Sequence, residues 1–197
     1  MIVIVNYGVG NLYSVKKAFE TFDKNIIISN KPWDIQKADK IVLPGVGHFK
    51  DVMEAIKNLG LFEALIEAGK NKPILGICLG MQVLFEESRE GDTQGLSILK
   101  GRVIRFPNLI KVPHIGWNRV RFSSHPIFQG IPENPWFYFI HSYYPVPEED
   151  VIIGRTNYGD IEFASAVSCD NIVGFQFHPE KSSEIGLGLI ENFVRWK

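Results

Sequence analysis

Between Lys72 and Gln82 the chain reads Lys-Pro-Ile-Leu-Gly-Ile-Cys-Leu-Gly-Met-Gln. The apolar run from Pro73 to Ile77 predicts a buried strand of a parallel sheet, and Met81 to Glu87 predicts the start of a helix. Cys78 stands at the join, with Gly76 and Gly80 on either side. A strand that turns directly into a helix through Gly-x-Cys-x-Gly has the layout of a nucleophile elbow, with sulfur in place of a serine hydroxyl. The glycines permit a sharp turn and a close packing that side chains there would block. A helix beginning at this point directs its N-terminus at the sulfur, which favours the thiolate. A lone cysteine is more commonly a small buried hydrophobe. Two flanking glycines at a strand-to-helix join tip the reading toward a nucleophile.

The rest of the N-terminal half supports a parallel sheet. Ile2 to Val5 reads as a strand that ends in the turn Asn6-Tyr-Gly-Val-Gly10, and Asn11 caps a helix bearing Leu12, Val15, Ala18, Phe19 and Phe22. Further strands are expected at Asn25 to Ser29 and Lys40 to Leu43, the latter running into Pro44-Gly-Val-Gly47. Helical stretches follow at Phe49 to Leu59 and Leu61 to Gly69. Strands alternating with helices require crossover connections, hence parallel pairing, with glycine-rich turns at the carboxyl edge where such sheets bind ligands. After Ser88 the texture changes to proline-rich turns between β-branched and aromatic runs. Arg102 to Phe106, Asn118 to Phe122, Trp136 to His141, Val151 to Thr156 and Ala164 to Ser168 are predicted as shorter, partly antiparallel strands, Ile172 to Phe177 as another, and Ser182 to Trp196 as a closing helix. The expected fold is therefore α/β: a single-domain, open, mostly parallel twisted sheet flanked by helices, with additional antiparallel strands in the C-terminal half and one domain over residues 1–197.

Gly174-Phe-Gln-Phe-His-Pro-Glu180 supplies partners for the sulfur. Phe175 and Phe177 alternate with Gln176 and His178, giving one apolar and one polar face. If this strand is parallel to the one before Cys78, His178 leaves the sheet at the same edge. Glu180 then reaches the imidazole across an extended Pro179. A cysteine, a histidine that takes its proton and a carboxylate that fixes the histidine tautomer form a nucleophilic triad. An exposed loop histidine beside a surface glutamate is the competing reading of the tripeptide alone. A tetrahedral oxyanion also needs two N–H donors. Leu79, the residue after the nucleophile, offers one, and the loop Gly45-Val46-Gly47 after a neighbouring strand offers the other, at Val46. Taken alone, Pro-Gly-Val-Gly reads rather as a plain strand-to-helix turn.

Composition excludes several other classes. The 197 residues are 45% hydrophobic and 22% charged, which fits a packed globule with a substantial core. With 21 basic and 22 acidic residues and no basic stripe, neither nucleic acid nor an anionic membrane is the expected partner. No apolar run spans a bilayer, and Met1 leads straight into Ile-Val-Ile-Val without a signal-peptide layout, so a reducing cytoplasmic setting is expected. Cys78 and Cys169 form neither a disulfide framework nor a metal-ligand pattern, and no metal or cofactor is expected; Cys169 reads as a core position. Gly8-Val-Gly10 resembles a dinucleotide fingerprint but has Tyr13 where the third glycine belongs, and no acid ends the second strand. Trp136-Phe-Tyr-Phe-Ile140 lacks basic neighbours and reads as a core or interface strand, not a base-stacking surface.

Gly76-Ile-Cys-Leu-Gly-Met-Gln82 together with Gly174-Phe-Gln-Phe-His-Pro-Glu-Lys-Ser182 resembles the class I, triad-type glutamine amidotransferase family. Asn6 to Asn11, Leu43 to Phe49, Pro113-His-Ile-Gly-Trp-Asn118 and Phe139 to Tyr143 are similar to the branch whose glutaminases serve imidazole glycerol phosphate synthesis in histidine biosynthesis. The resemblance runs from the first strand to the last helix. It implies that Cys78 attacks the side-chain amide of glutamine, that His178 moves the proton to the leaving ammonia and that Glu180 orients His178. It further implies an oxyanion loop over Pro44 to Gly47, with Val46 and Leu79 as donors, and glutamine held by Gln82, His141, Ser142 and Tyr143. Ser142 is often threonine in the family, a change that keeps the hydroxyl. The implied partner is a (β/α)₈ cyclase subunit forming a heterodimer, which receives the ammonia, with Asn11, Trp117, Tyr138 and Lys181 near the docking face. For those four the local alternatives are a helix cap, a core indole, a strand aromatic and a solvated lysine. Glutaminases of this branch are nearly silent alone, which implies a Pro-Gly-Val-Gly peptide facing the wrong way until the cyclase is loaded. Rival readings are a glutaminase subunit for anthranilate, aminodeoxychorismate, pyridoxal phosphate or purine synthesis, a partner-independent cysteine hydrolase, and a flavodoxin-like binding module.

Overall fold

The computed structural model describes residues 1–8 and 10–196, so Val9, within the expected Asn6 to Gly10 turn, lies outside the described residues. In chain order the elements are β1 (Ile2–Val5), α1 (Leu12–Glu20), β2 (Ile26–Ser29), α2 (Pro32–Lys37), β3 (Lys40–Leu43), α3 (Phe49–Asn58), α4 (Phe62–Asn71), β4 (Ile74–Ile77) and α5 (Leu79–Gln82). There follow β5 (Phe85–Ser88), β6 (Thr93–Gln94), β7 (Leu99–Arg105), β8 (His114–Arg119), β9 (Arg121–Phe122), β10 (Trp136–His141), β11 (Tyr143–Pro147), β12 (Ile152–Tyr158), β13 (Ile161–Cys169), β14 (Ile172–Phe175) and α6 (Ser183–Arg195).

The main sheet has eight strands in the order β2-β1-β3-β4-β14-β13-β12-β9 and does not close. Its first five are mutually parallel, and β13, β12 and β9 continue it antiparallel. Both faces of the parallel part are covered. Ile2 and Ile4 belong to a core with Val15 and Phe19 of α1 and Leu189 and Phe193 of α6. Val3 and Val5 belong to a second core with Ile35, Val52, Ile56 and Leu65 from α2, α3 and α4. Alternate residues thus face opposite layers, and a strand buried on both sides reads as an unbroken apolar run. A four-stranded sheet, β11-β7-β5-β6, and a two-stranded ribbon, β10-β8, complete the C-terminal half. Among the described residues no helix is long and apolar enough to cross a membrane.

Several expected boundaries move. The helix expected over Met81 to Glu87 stops after one turn, at Gln82, and Phe85–Ser88 pairs with β7 instead. The carbonyls of Val83 and Leu84, which a longer helix would keep, accept from the N–H groups of Leu96 and Ile98 at 2.8 and 2.9 Å. The strand expected over Asn118 to Phe122 divides at Val120, because β8 joins the ribbon while β9 joins the edge of the main sheet. The strand expected to run through Phe177 ends at Phe175, although Gln176 N–H still donates to Ser165 O at 2.9 Å. Strand β11 was hidden by Pro145 and Pro147, which a strand tolerates at a sheet edge. Helix α2 and the short strands β5 and β6 carry no periodic pattern in the sequence.

The tightest approach is at Gly80, where an added Cβ would lie 1.9 Å from Leu43 O. Gly80→Ala should therefore destabilise the chain by about 3 kcal/mol, the upper end for overpacking, measured by urea denaturation.

Candidate active site

Cys78 occupies the turn between β4 and α5 with φ 53° and ψ −110°, a backbone that surrounding structure must enforce. Packed glycines do this. A Cβ on Gly76 would meet Gly80 O at 2.6 Å, and one on Gly45 would meet Leu79 N at 2.4 Å. The ends of β3 and β4 and the start of α5 therefore press together with no room for side chains. The Cys78 N–H donates to Phe175 O at 2.6 Å, which ties the elbow to β14.

Strand β14 pairs with β4 so that Phe175 lies opposite Ile77, and the chain leaves both strands at one edge. The His178 N–H donates to Tyr138 O at 2.9 Å. Pro179–Lys181 forms a 3-10 turn, not the extended link expected, and this turn folds Glu180 back onto the imidazole. His178 Nδ1 donates to Glu180 Oε1 at 2.8 Å, with both side chains at least 96% buried (2% and 4% exposed). Ser182 locks the turn: its Oγ donates to His178 O at 2.6 Å and accepts from Tyr138 N at 3.0 Å. With Nδ1 engaged, Nε2 is the free nitrogen of the ring, and it has no hydrogen-bond partner among the described residues. Burial alone would disfavour the imidazolium, but the adjacent Cys78 sulfur and Glu180 outweigh it and raise the His178 pKa to about 10. Cys78, a hundred residues earlier in the chain, thus joins the His178–Glu180 pair in one cluster.

The sulfur opens onto a cavity of about 320 Å³ lined by Val46, Cys78, Gln82, Glu90, His141 and Tyr143 among others, a small-molecule size. A larger crevice of about 510 Å³, between Arg121 and Asn134, contains none of the candidate residues. Gly45, Val46 and Gly47 form the cavity wall over the elbow, and the Leu79 N–H is taken by no backbone carbonyl among the described residues. Ser142 also lines the cavity.

Gln82 and His141 are both committed to one backbone atom, Tyr143 O, which accepts from Gln82 Nε2 at 2.9 Å and His141 Nδ1 at 2.8 Å. His141 Nε2 then accepts from His114 Nδ1 at 3.0 Å, and His114 Nε2 accepts from Asn118 Nδ2 at 3.3 Å. Both nitrogens of His141 are therefore occupied within the protein. Burial pushes the pKa of His114 down to about 4 and that of His141 down to about 3.

Of the residues assigned to a docking face, Trp117, Tyr138 and Lys181 come together: the rings of Trp117 and Tyr138 lie 6.1 Å apart, and Lys181 Nζ is 5.9 Å from the Tyr138 centroid. They share the outer side of the β10-β8 ribbon with exposed Ile115, Trp136 and Ile140. Asn11 caps α1, its side chain accepting from Ser14 N at 3.2 Å.

Gln176 and Glu90 escaped the sequence reading. Gln176 sits on the polar side of the Phe-Gln-Phe-His alternation, which was the available signal; it is fully buried and donates from Nε2 to Cys78 Sγ at 3.5 Å. Glu90 comes from the β5–β6 turn, where no periodicity marks it. Its carboxylate accepts from Phe49 N at 2.8 Å and pairs with His48 Nδ1 at 3.1 Å at the cavity wall.

The sequence model of the family described as glutamine amidotransferase class-I matches residues 3–196. Over 98% of each chain, this sequence is 50% identical to imidazole glycerol phosphate synthase subunit HisH of Methanocaldococcus jannaschii. It is 48% identical to the subunit of the same name from Sulfurimonas denitrificans, over 100% of this chain and 99% of that one. A crystal structure of a glutamine amidotransferase superposes with TM-score 0.77 at 16% identity, covering 98% of this chain and all of the other. The structure of PurLQS from Thermotoga maritima superposes with TM-score 0.76 at 19% identity, covering 99% and 97%. The chain belongs to the class I glutamine amidotransferases, and the fold is theirs. Within that class it belongs with the HisH subunits.

The buried histidine pair has a consequence for acid stability. Unfolded histidines bind protons near pH 6.5, whereas folded His114 and His141 resist them until about 4 and 3. Their contribution is present above pH 6.5 and is lost as pH falls through that window. In urea titrations from pH 7 to 4.5, His114→Gln should show a shallower loss of stability than the unsubstituted chain.

Proposed function

We propose that this chain hydrolyses glutamine to glutamate and ammonia through Cys78, His178 and Glu180, and passes the ammonia to a (β/α)₈ cyclase with which it forms a heterodimer. The observation that carries the reading is the buried His178–Glu180 pair beside a cysteine held in a strained elbow and lining a cavity of about 320 Å³. The two relatives cited above are subunits of imidazole glycerol phosphate synthase, which supports histidine biosynthesis as the acceptor reaction, yielding imidazole glycerol phosphate and an aminoimidazole carboxamide ribotide.

In this mechanism the Cys78 proton moves to His178 Nε2, and the sulfur attacks the amide carbon of glutamine. The carbonyl oxygen becomes an oxyanion held by the N–H groups of Leu79 and Val46, within the loop Gly45 to Gly47. Collapse of the tetrahedral adduct breaks the C–N bond while His178 protonates the leaving nitrogen, giving ammonia and a glutamyl thioester. Water then gives one proton to His178 and attacks the thioester; His178 returns that proton to the departing sulfur, releasing glutamate. Glu180 holds Nδ1 protonated throughout, so Nε2 always faces the reacting atoms. Gln82, Ser142 and Tyr143 hold the substrate, His141 fixes the Tyr143 carbonyl, and Glu90 accepts from the substrate ammonium at the cavity wall.

Ammonia released into neutral water is mostly protonated and has no lone pair with which to attack. It must therefore pass to the acceptor site without escaping. The outer face of the β10-β8 ribbon, with Trp117, Tyr138 and Lys181, is the surface for this docking, and Asn11 adds to it. Aromatic and apolar side chains left in water on one side of a ribbon suit a permanent partner. A reducing cytoplasm keeps Cys78 free to react.

With the cyclase present, Cys78→Ala should reduce glutamine-dependent synthesis by at least about 10⁴-fold while leaving synthesis from added ammonium salt within about twofold. Loss of both reactions, or of neither, rejects the assignment. Trp117→Glu should weaken association with the cyclase by roughly 30-fold or more in isothermal titration, as expected for a buried aromatic anchor.

A further inference from the structure

The hydrogen bonds around Cys78 have a polarity that can be traced from one backbone atom. Tyr143 O can only accept, so the end of Gln82 that meets it at 2.9 Å must be the amide nitrogen. That same Nε2 lies 3.0 Å from the Gln176 side chain, so the atom of Gln176 facing it must be the oxygen. The opposite end of the Gln176 amide, its nitrogen, is then the atom 3.5 Å from Cys78 Sγ. No other arrangement of the two amides leaves every contact with a donor and an acceptor. Gln176 is fully buried, so water does not compete for this bond.

The sulfur's second partner behaves differently. As a thiol, Cys78 donates to Ile140 O at 3.7 Å. When the proton leaves, that carbonyl faces an anion and offers it nothing, whereas the Gln176 N–H meets a stronger acceptor. Hydrogen bonds to a charged group are worth more than those to a neutral one. The pair of contacts therefore discriminates between the two forms of the sulfur.

We propose that Gln176 is a further catalytic residue, donating an N–H to the anionic Cys78 sulfur with a direction imposed, through Gln82, by the Tyr143 carbonyl. The inference builds on the glutaminase reading but makes a claim about the sulfur alone. A second consequence concerns Gln82. Both of its N–H bonds are spent on Tyr143 O and Gln176 Oε1, so it presents only an oxygen to the cavity and recognises a donor on the substrate, an ammonium or amide N–H.

The test is the pH dependence of iodoacetamide alkylation of Cys78 in the full-length chain, followed by peptide mass spectrometry so that Cys169 is scored separately. Replacing the donor with an isosteric apolar side chain, Gln176→Met, should move the alkylation midpoint of Cys78 upward by roughly one to two pH units. Gln176→Glu, which places a carboxylate beside the sulfur, should move it at least as far. The Cys169 profile should stay where it is in both variants, and unchanged thermal unfolding of either variant suffices to exclude misfolding. Midpoints that coincide with that of the unsubstituted chain in a folded variant overturn the proposal. Because alkylation needs neither glutamine nor cyclase, that outcome leaves the glutaminase assignment standing. Conversely, failure of the Cys78→Ala experiment leaves the midpoint shift intact.

Discussion

The close approach of three backbone segments, at Gly45, Gly76 and Gly80, is what the rest of the molecule relies on. With Cβ positions 1.9 to 2.6 Å from neighbouring backbone atoms, none of these residues can carry a side chain without moving β3, β4 or α5. The contact forces Cys78 to φ 53°, which turns its side chain out of the sheet edge. It also sets the Pro44 to Gly47 loop against the Leu79 N–H, so Cys78 and the backbone donors proposed for the oxyanion are positioned by a single packing event. Strain at Cys78 is thus offset by the two apolar layers that clamp the parallel strands.

Around that point the polar groups form two systems with different tasks. His178, Glu180 and Ser182 lie on one short turn, which holds His178 Nδ1 on Glu180 and leaves Nε2 the ring nitrogen without a partner among the described residues. Gln82, Gln176, His141, His114 and Asn118 converge on Tyr143 O and concern orientation. In the second system every donor has an acceptor, as a buried network requires if it is to stiffen a site and not weaken it. The low pKa values of His114 and His141 follow from the same burial and keep these rings neutral, so their hydrogen-bond directions do not change at physiological pH.

Much of this was legible in the sequence where local pattern and tertiary role coincide. The apolar runs of β1, β3 and β4 identify a doubly covered parallel sheet, and Gly-x-Cys-x-Gly marks the elbow, because close backbone contact demands glycine whatever surrounds it. The His178–Glu180 spacing carries the pair, although a 3-10 turn and not an extended Pro179 brings them together. What stayed hidden was decided by distant partners. The helix after Gln82 ends because the 96–98 segment takes its carbonyls, and Val120 divides two strands because they belong to different sheets. Glu90 reaches the cavity from a hairpin turn, a placement no periodicity encodes. Gln176 was visible as part of an alternating face, but the alternation predicts exposure or burial, not that the polar side would point at sulfur.

Strand β10 serves two neighbourhoods with one backbone. Its outward residues, Trp136, Tyr138 and Ile140, stand on the open side of the ribbon. Its peptide groups, meanwhile, hold the candidate site: Tyr138 O accepts from the His178 N–H, the Tyr138 N–H donates to Ser182 Oγ, and Ile140 O accepts from the Cys78 thiol. One strand backbone therefore joins the open face of the ribbon to the segments that carry His178 and Cys78, through three hydrogen bonds. Any displacement of the aromatic face is thus constrained by the same peptide groups that seat Cys78 and His178.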